Sequence, residues 1–339
     1  MKYLIPITLC LCLLACRGAE KQADEWKAVV LRGPSALAFA QWMKEQPEVD
    51  GRKITVRIAD SPDQVAAALV KEEADLAVLP MINAANLYNK GVPYRLAGCP
   101  IWGNLYIVGR ENARRLHVFG RGATPNILSR YYLDHHKLPY VPVYTLETAS
   151  EVVRGILGGK VEAAVLPEPF VSMVLERDST FRLLSNLNTS ARGARGFAET
   201  AILLHNSLGD KAEVFDQLIK ETCRFAAQHP DSVIPIMEQR AVFPPGMLTA
   251  GAIKRSNILY IPADEAEKEI RSFLEIIYRY EPQAIGGKMP AAGFFRNDAH
   301  RLGKRGASFG ETMRVVWVND AHRFSHPRAH SPQKAPNRL

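Results

Sequence analysis

Cysteine is scarce in this chain and badly placed for chemistry. Of five cysteines in 339 residues, Cys10, Cys12 and Cys16 crowd the first segment, leaving Cys99 and Cys223 in the body. Neither has the spacing of a zinc site or a redox motif, so metal and thiol chemistry find no framework. The two could pair in an oxidising compartment or stay as buried thiols, and the sequence leaves both open. Also missing are a G-x-S-x-G elbow, a phosphate-binding G-x-x-x-x-G-K and a dinucleotide fingerprint, which removes the common hydrolase, nucleotide and dehydrogenase signals. His135 and His136 close a predicted helix with no partner at metal spacing, and no repeat of solenoid period occurs. No metal and no cofactor are expected.

An apolar stretch long enough for a bilayer is lacking at the N-terminus. Lys2 precedes Tyr3 to Ala15, too short for a spanning helix but right for an export signal. Leu13-Leu14-Ala15-Cys16 resembles a bacterial lipobox, in which Cys16 is acylated and becomes the mature N-terminus. Residues 1–16 thus read as a lipoprotein signal peptide and 17–25 as a polar tether. The expected location is outside the cytoplasm, anchored by lipid to a bacterial membrane, on the periplasmic side in a Gram-negative cell.

A basic surface is lacking too, despite a net charge of +8. From Arg296 onward nine Lys/Arg stand against three acids, so +6 of the charge lies in the last 44 residues. A nearly neutral body argues against nucleic acid as partner. The 296–339 tail, with scattered His300, His322, His326 and His330, reads as a basic, disordered segment without a metal role.

The body, in contrast, is rich in strand–turn–helix units. Hydrophobic residues make up 47% of the chain, enough for two cores. Lys27 to Leu31 is β-prone, Gly33-Pro34-Ser35 turns the chain, and Ala36 to Lys44 is helical. Ile54 to Ile58, then Ser61-Pro62 as cap and first turn, then Asp63 to Lys71 repeat the pattern. Asp75 to Leu79 is a strand, and a helix runs from Pro80 to Asn89. A second series starts at Leu116 to Phe119, continues through Gly122-Ala123-Thr124-Pro125 into a helix, and reaches Glu168-Pro169 after the strand Ala163 to Leu166. Helices over Ala212 to Gln228, Asp231 to Gln239 and Asp264 to Tyr280 wrap the end. This alternation predicts largely parallel sheets covered on both faces.

Six motifs in order carry a family resemblance: Gly33-Pro34-Ser35; Ala74 to Pro80; Asn89-Lys90-Gly91; Pro100-Ile101-Trp102-Gly103; Gly122-Ala123-Thr124-Pro125 with Glu168-Pro169; and Ile285-Gly286-Gly287-Lys288-Met289-Pro290. Together they resemble the ABC-importer solute-binding proteins for nitrate, sulfonates, taurine and thiamine-pyrimidine precursors. The resemblance implies an α/β, two-lobed periplasmic-binding-protein type 2 fold, with a hinge and an interlobe cleft. Lobe 1 would comprise 26–110 and 197–295, lobe 2 residues 111–196, with crossings near Val108 to Arg115 and Arg195 to Thr200. It further implies a monomer that captures a small organic or anionic solute and passes it to an ABC permease with its ATPase. A pyrimidine-precursor synthase of similar fold, or a sensing lipoprotein without transport, is the alternative.

Ligands of doubly wound sheets sit beyond the carboxyl ends of strands, where loops feed helix starts. Gly33 and Ser35 could present backbone N–H groups and a hydroxyl to an anion, or merely cap a helix. Gly122 and Thr124 offer the same from the other lobe, with Thr124 expected as cap and Pro125 as first helical residue. Met81 and Asn83 could touch ligand or serve as core and cap. Trp102 could present its ring near the hinge, and Glu168 could meet a cationic group or favour a helix dipole.

Overall fold

A computed structural model describes residues 25–190 and 195–296. The signal peptide, Cys16, most of the tether, residues 191–194 and the basic tail from 297 onward lie outside the described residues.

Two separate mixed sheets organise the chain. The first contains β1 (Glu25–Leu31), β2 (Glu48–Val49), β3 (Arg52–Ala59), β4 (Leu76–Pro80), β5 (Tyr94–Ile101), β11 (Thr200–His205) and β12 (Ile258–Pro262), in the order β12-β5-β11-β4-β1-β3-β2. The second contains β6 (Leu105–Gly109), β7 (Arg115–His117), β8 (Val141–Val143), β9 (Ala163–Pro167) and β10 (Arg182–Asn186), in the order β10-β6-β9-β7-β8. β1 runs parallel to β3 and β4, whereas β11 lies antiparallel to both β4 and β5. The prediction of largely parallel sheets therefore needs correction: in the first sheet the parallel strands β4-β1-β3 are flanked by β11 and β2 of opposite sense, and in the second the parallel run β9-β7-β8 adjoins the single opposed strand β6. Strands inserted where the chain crosses between sheets run against the βαβ direction, and their hydrophobic runs look like parallel core strands.

β6 pairs with β9 and β10 in the second sheet. The first passage between sheets thus falls at Trp102–Asn104, ahead of the expected Val108 to Arg115, and Leu105 to Gly109 belongs with lobe 2. Leu105 and Ile107 are as apolar as the β5 strand before them, so hydropathy alone does not mark the break. The turn is made by Gly103 at φ +78°, where an added Cβ would meet Asn188 Oδ1 at 2.5 Å.

Local sequence explains the helices. α3 (Pro62–Val70) is capped by Ser61, whose side chain accepts from Gln64 N at 3.3 Å, with Pro62 opening the first turn. α6 (Ala149–Leu157) has a capping box between Thr148 and Glu151 and buries Val152, Val153 and Ile156. The helix expected over Ala36 to Lys44 is two pieces, α1 (Pro34–Ala38) and α2 (Ala40–Glu45), broken at Phe39. Two elements lie outside the sequence reading, α10 (Ala250–Arg255) and β12, and β12 pairs with the otherwise free edge of β5.

One apolar cluster packs β1, β4, α3, α4 (Met81–Asn89) and α11 (Glu267–Tyr280), and extends to Leu105, Ile107, Leu116, Ile127 and Leu128 of the second sheet and its helix α5 (Thr124–His136). A second lies on the opposite face of the first sheet, under α1, α2, α8 (Ala212–Gln228) and α9 (Pro230–Gln239). A third joins the second sheet to α6 and α7 (Phe170–Arg177). The passage between sheets is itself packed, notably by Phe197 stacked on Phe273 at 5.6 Å. Cys99 and Cys223 are both buried and free, so the pairing left open by the sequence is not made.

Candidate functional site

Strand direction places the helix starts of both sheets at the same junction. β1 leads into α1, and β4 ends at Pro80 and opens α4 at Met81. In the second sheet β7 leads into α5 and β9 into α7. Pro80 pairs with Thr200, the first residue of β11, and Pro167, the last of β9, pairs with Leu105, the first of β6. Both passages between sheets, Trp102–Asn104 and 195–199, therefore leave from the edge where helices begin. This is the edge at which α/β sheets bind ligands.

Hydrogen bonds tie that junction together. Glu199 N donates to Ile101 O at 3.1 Å, and Met81 N donates to Glu199 O at 2.9 Å. Asn104 Oδ1 accepts from Glu168 N at 3.0 Å. Asn188, in the 3₁₀ turn Leu187–Ser190, accepts from Leu105 N through Oδ1 at 3.1 Å.

The sequence-predicted residues meet different fates here. Gly33 caps α1 at φ +114°, where an added Cβ would meet no atom within 4 Å, and Ser35 is buried within the first turn. Asn83 is half-buried on α4, whereas Met81 has no exposure and belongs to the core, so packing is its role. Trp102 is also core: it is 1% exposed and its Nε1 donates to Leu259 O at 2.9 Å. Gly122, at φ +74°, donates its N–H to Asn126 Oδ1 at 3.3 Å.

Thr124 departs from expectation in an informative way. The cap of α5 is Ala123, and Thr124 is already helical, with Pro125 following it. Its hydroxyl is therefore not spent on capping. Oγ1 is buried without a hydrogen-bond partner among the described residues, in a residue 5% exposed. Such an atom costs about 1–3 kcal/mol until something satisfies it.

Glu168 is buried but saturated. Its carboxylate accepts from Ser172 N at 3.1 Å, Ser172 Oγ at 2.8 Å and Arg255 Nε, while Arg255 also reaches Ser172 Oγ at 2.6 Å. Burial raises its pKa, and Arg255 and Ser172 pull it back. The side chain expected to meet a ligand instead joins α7 to α10, a bridge between the two halves. Tyr106 reinforces it by donating to Arg255 O at 2.7 Å, and burial with the nearby Glu168 charge pushes this phenol up to about 12. On another flank, α5 and α11 meet through Tyr280 Oη donating to Asp134 at 2.7 Å and the Arg130–Glu281 ion pair at 3.7 Å. His135 and His136 lie back on Tyr131 and Tyr132, with ring centroids 4.0 and 4.2 Å apart.

Sequence reasoning missed the acid at the centre of the junction. Glu199 Oε2 is buried and has no partner among the described residues, and burial alone pushes the carboxyl up to about 8. Beside it Thr200 Oγ1 is likewise buried and unpartnered, as are Asn188 Nδ2 and, at the end of β7, His117 Nδ1. Burial and the neighbouring Arg115 lower the pKa of His117. The one signal available was two polar residues, Glu199-Thr200, opening an otherwise apolar strand. A separate recess of about 290 Å³, walled by Trp42, Thr55, Ile58 and Arg240, lies on the flank of the first sheet away from this edge. Among the described residues no group of three or more His, Cys, Asp or Glu could hold a metal, and no helix is long and apolar enough to cross a membrane.

No protein-family model and no curated protein matches the chain. Solved structures do. An ABC transporter structure from Parabacteroides distasonis is 44% identical, with a TM-score of 0.78, over 81% of this chain and 99% of that one. The periplasmic aliphatic sulphonate binding protein SsuA of Escherichia coli shares the fold at 14% identity and a TM-score of 0.61, covering 79% of this chain and 90% of its own. The alkanesulfonate-binding SsuA of Xanthomonas axonopodis pv. citri, bound to MOPS, does so at 16% identity and 0.59, covering 80% and 98%.

Proposed function

The chain belongs to the substrate-binding proteins of ABC importers, and from that premise we propose that it captures one small solute between the helix starts of its two sheets. The carrying observation is the set of buried polar atoms at that junction that have no partner among the described residues, led by Thr124 Oγ1 from one side and Thr200 Oγ1 from the other. Gly33, Ser35 and Asn83 from the first sheet and Gly122 and Thr124 from the second are the proposed contacts. No covalent step is assigned to any of them. Solute binding draws the halves together, and the closed shape is what the permease and its ATPase receive.

The rest of the functional reading follows from this role. Cys16 carries the lipid that holds the protein, as a monomer, on the outer side of a membrane near its permease. A Cys16→Ser form should leave the membrane fraction, and a mature N-terminus heavier by a diacylglyceryl group should be found in the wild-type protein. Solute capture is tested by thermal shift with taurine, alkanesulfonates, nitrate, hydroxymethylpyrimidine derivatives and riboflavin-like heterocycles. A ligand at 100 times its Kd should stabilise the fold by about 2.7 kcal/mol. Turnover of one of these compounds without any stabilisation would instead favour the synthase-like enzyme.

A further inference from the structure

We propose that Glu199 sets the chemical class of the solute: its carboxyl receives a nitrogen-borne donor, such as an amine, amidine or protonated heterocycle, on a molecule held at the junction of the two sheets. This rests on the solute-capture reading and goes beyond it by naming what the site selects.

Position comes first. The Glu199 backbone bridges the end of β5 and the start of α4 through Ile101 O and Met81 N, so the residue stands on the helix-start edge of the first sheet. Its charge acts on Cys99 of the first sheet and on Tyr106 of the second, so the carboxyl lies within electrostatic reach of both sheets. Oε2 is out of reach of water and accepts no hydrogen bond from the described residues.

The second argument compares the two buried acids of this region. Glu168 has a guanidinium and two donors from Ser172, a complete set. Glu199 Oε2 has no such partner among the described residues, and burial is the one cause of its shift, with no described lysine or arginine contributing. Arg255 is engaged by Glu168, and Arg195, four residues upstream of Glu199, pairs with Glu269 at 3.1 Å. Tyr106 and Cys99 are held neutral by burial. A buried acceptor without a partner costs free energy that a ligand donor can recover. A protonated carboxyl could donate one hydrogen bond to an oxyanion. With no free cation beside it among the described residues, however, an oxyanion would lose its own hydration without charge compensation, whereas a cationic nitrogen ionises Glu199 and completes an ion pair.

Other buried polar atoms of the helix-start edge, without a partner among the described residues, suit the remainder of such a molecule. Thr200 Oγ1 and Thr124 Oγ1 can donate to or accept from its polar substituents, and Asn188 Nδ2 can donate.

The experiment uses the full chain, natively expressed, as wild type and as Glu199→Gln, with unfolding midpoints and circular dichroism of the ligand-free proteins to show that both fold. Small molecules released by heat are identified by mass spectrometry. Melting shifts are then measured with benzamidine, agmatine and 4-aminopyridine, and with benzenesulfonate, ethanesulfonate and nitrate. The expected result is a basic nitrogen in the released solute, stabilisation of wild type by the nitrogen series, and about ten-fold or greater weakening of that binding in Glu199→Gln. Binding of the strongly basic probes should tighten as pH rises from 7 toward 8, since Glu199 must lose its proton. If the oxyanion series stabilises both proteins equally, or the released solute has no basic nitrogen, the assignment of Glu199 is overturned while solute capture stands. If nothing is released and neither series shifts wild type, both readings fail.

Discussion

Glu199 makes a prediction that needs no ligand at all. Its carboxyl sits near 4.5 when unfolded and near 8 when folded, with burial as the cause. Between those values the folded protein holds a proton that the unfolded chain releases. Stability due to this group is therefore fully present below about 4.5 and is lost as pH rises through about 8. At about 1.36 kcal/mol per pH unit, the full interval corresponds to roughly 5 kcal/mol. The residue as a whole keeps some exposure even though Oε2 has none, so solvent relaxation reduces the expected loss to about 2–3 kcal/mol. Glu199→Gln preserves the shape and cannot ionise. Urea unfolding near pH 5 should find the two proteins within about 1 kcal/mol of each other, and near pH 9 the variant should be the more stable by about 2–3 kcal/mol. A difference that stays constant to within about 0.5 kcal/mol across this range would refute the claim that burial holds this carboxyl protonated in the folded protein.

Other consequences can be checked in the same way. Thr124→Val removes a buried hydroxyl that has no partner among the described residues, so the ligand-free protein should be unchanged or up to about 1 kcal/mol more stable in urea, while affinity for the native solute falls. Arg255→Ala strands the Glu168 carboxylate; because Arg255 is about a third exposed, the expected cost is about 1–3 kcal/mol by urea unfolding, with Glu168→Gln losing less. Gly103→Ala places a methyl at φ +78° against Asn188 Oδ1, and its unfolding midpoint should fall by the equivalent of about 1–3 kcal/mol. Cys99 and Cys223, both buried with pKa values raised by burial, should resist a thiol reagent such as DTNB in the native protein and react as soon as it unfolds.

Much of the fold was legible because local signals and tertiary structure agree. Ser61-Pro62 caps α3 as its chemistry demands, and Ala212 to Gln228 is a helix over the span its apolar stripe predicts. Legibility failed where two apolar strands of different sheets adjoin. β5 and β6 are separated by three residues, and the turn at Gly103 is set by Asn188, some 85 positions away in sequence. The same long-range dependence hid the site. Capping statistics favour threonine before a helix-opening proline, so Thr124 reads as a cap, yet the helix begins one residue earlier and frees the hydroxyl. Glu168 reads as available because its partner Arg255 comes from an element with little periodicity, and Glu199 reads as an ordinary strand-opening acid because nothing nearby in sequence reports the absence of a partner. A sequence shows which groups could bind; which of them remain unsatisfied is settled by contacts between distant segments. For a binding protein that distinction matters, because a carboxyl already paired with arginine, like Glu168, closes the molecule on itself, whereas Glu199 Oε2, buried without a partner among the described residues, leaves an acceptor that the proposed solute would complete.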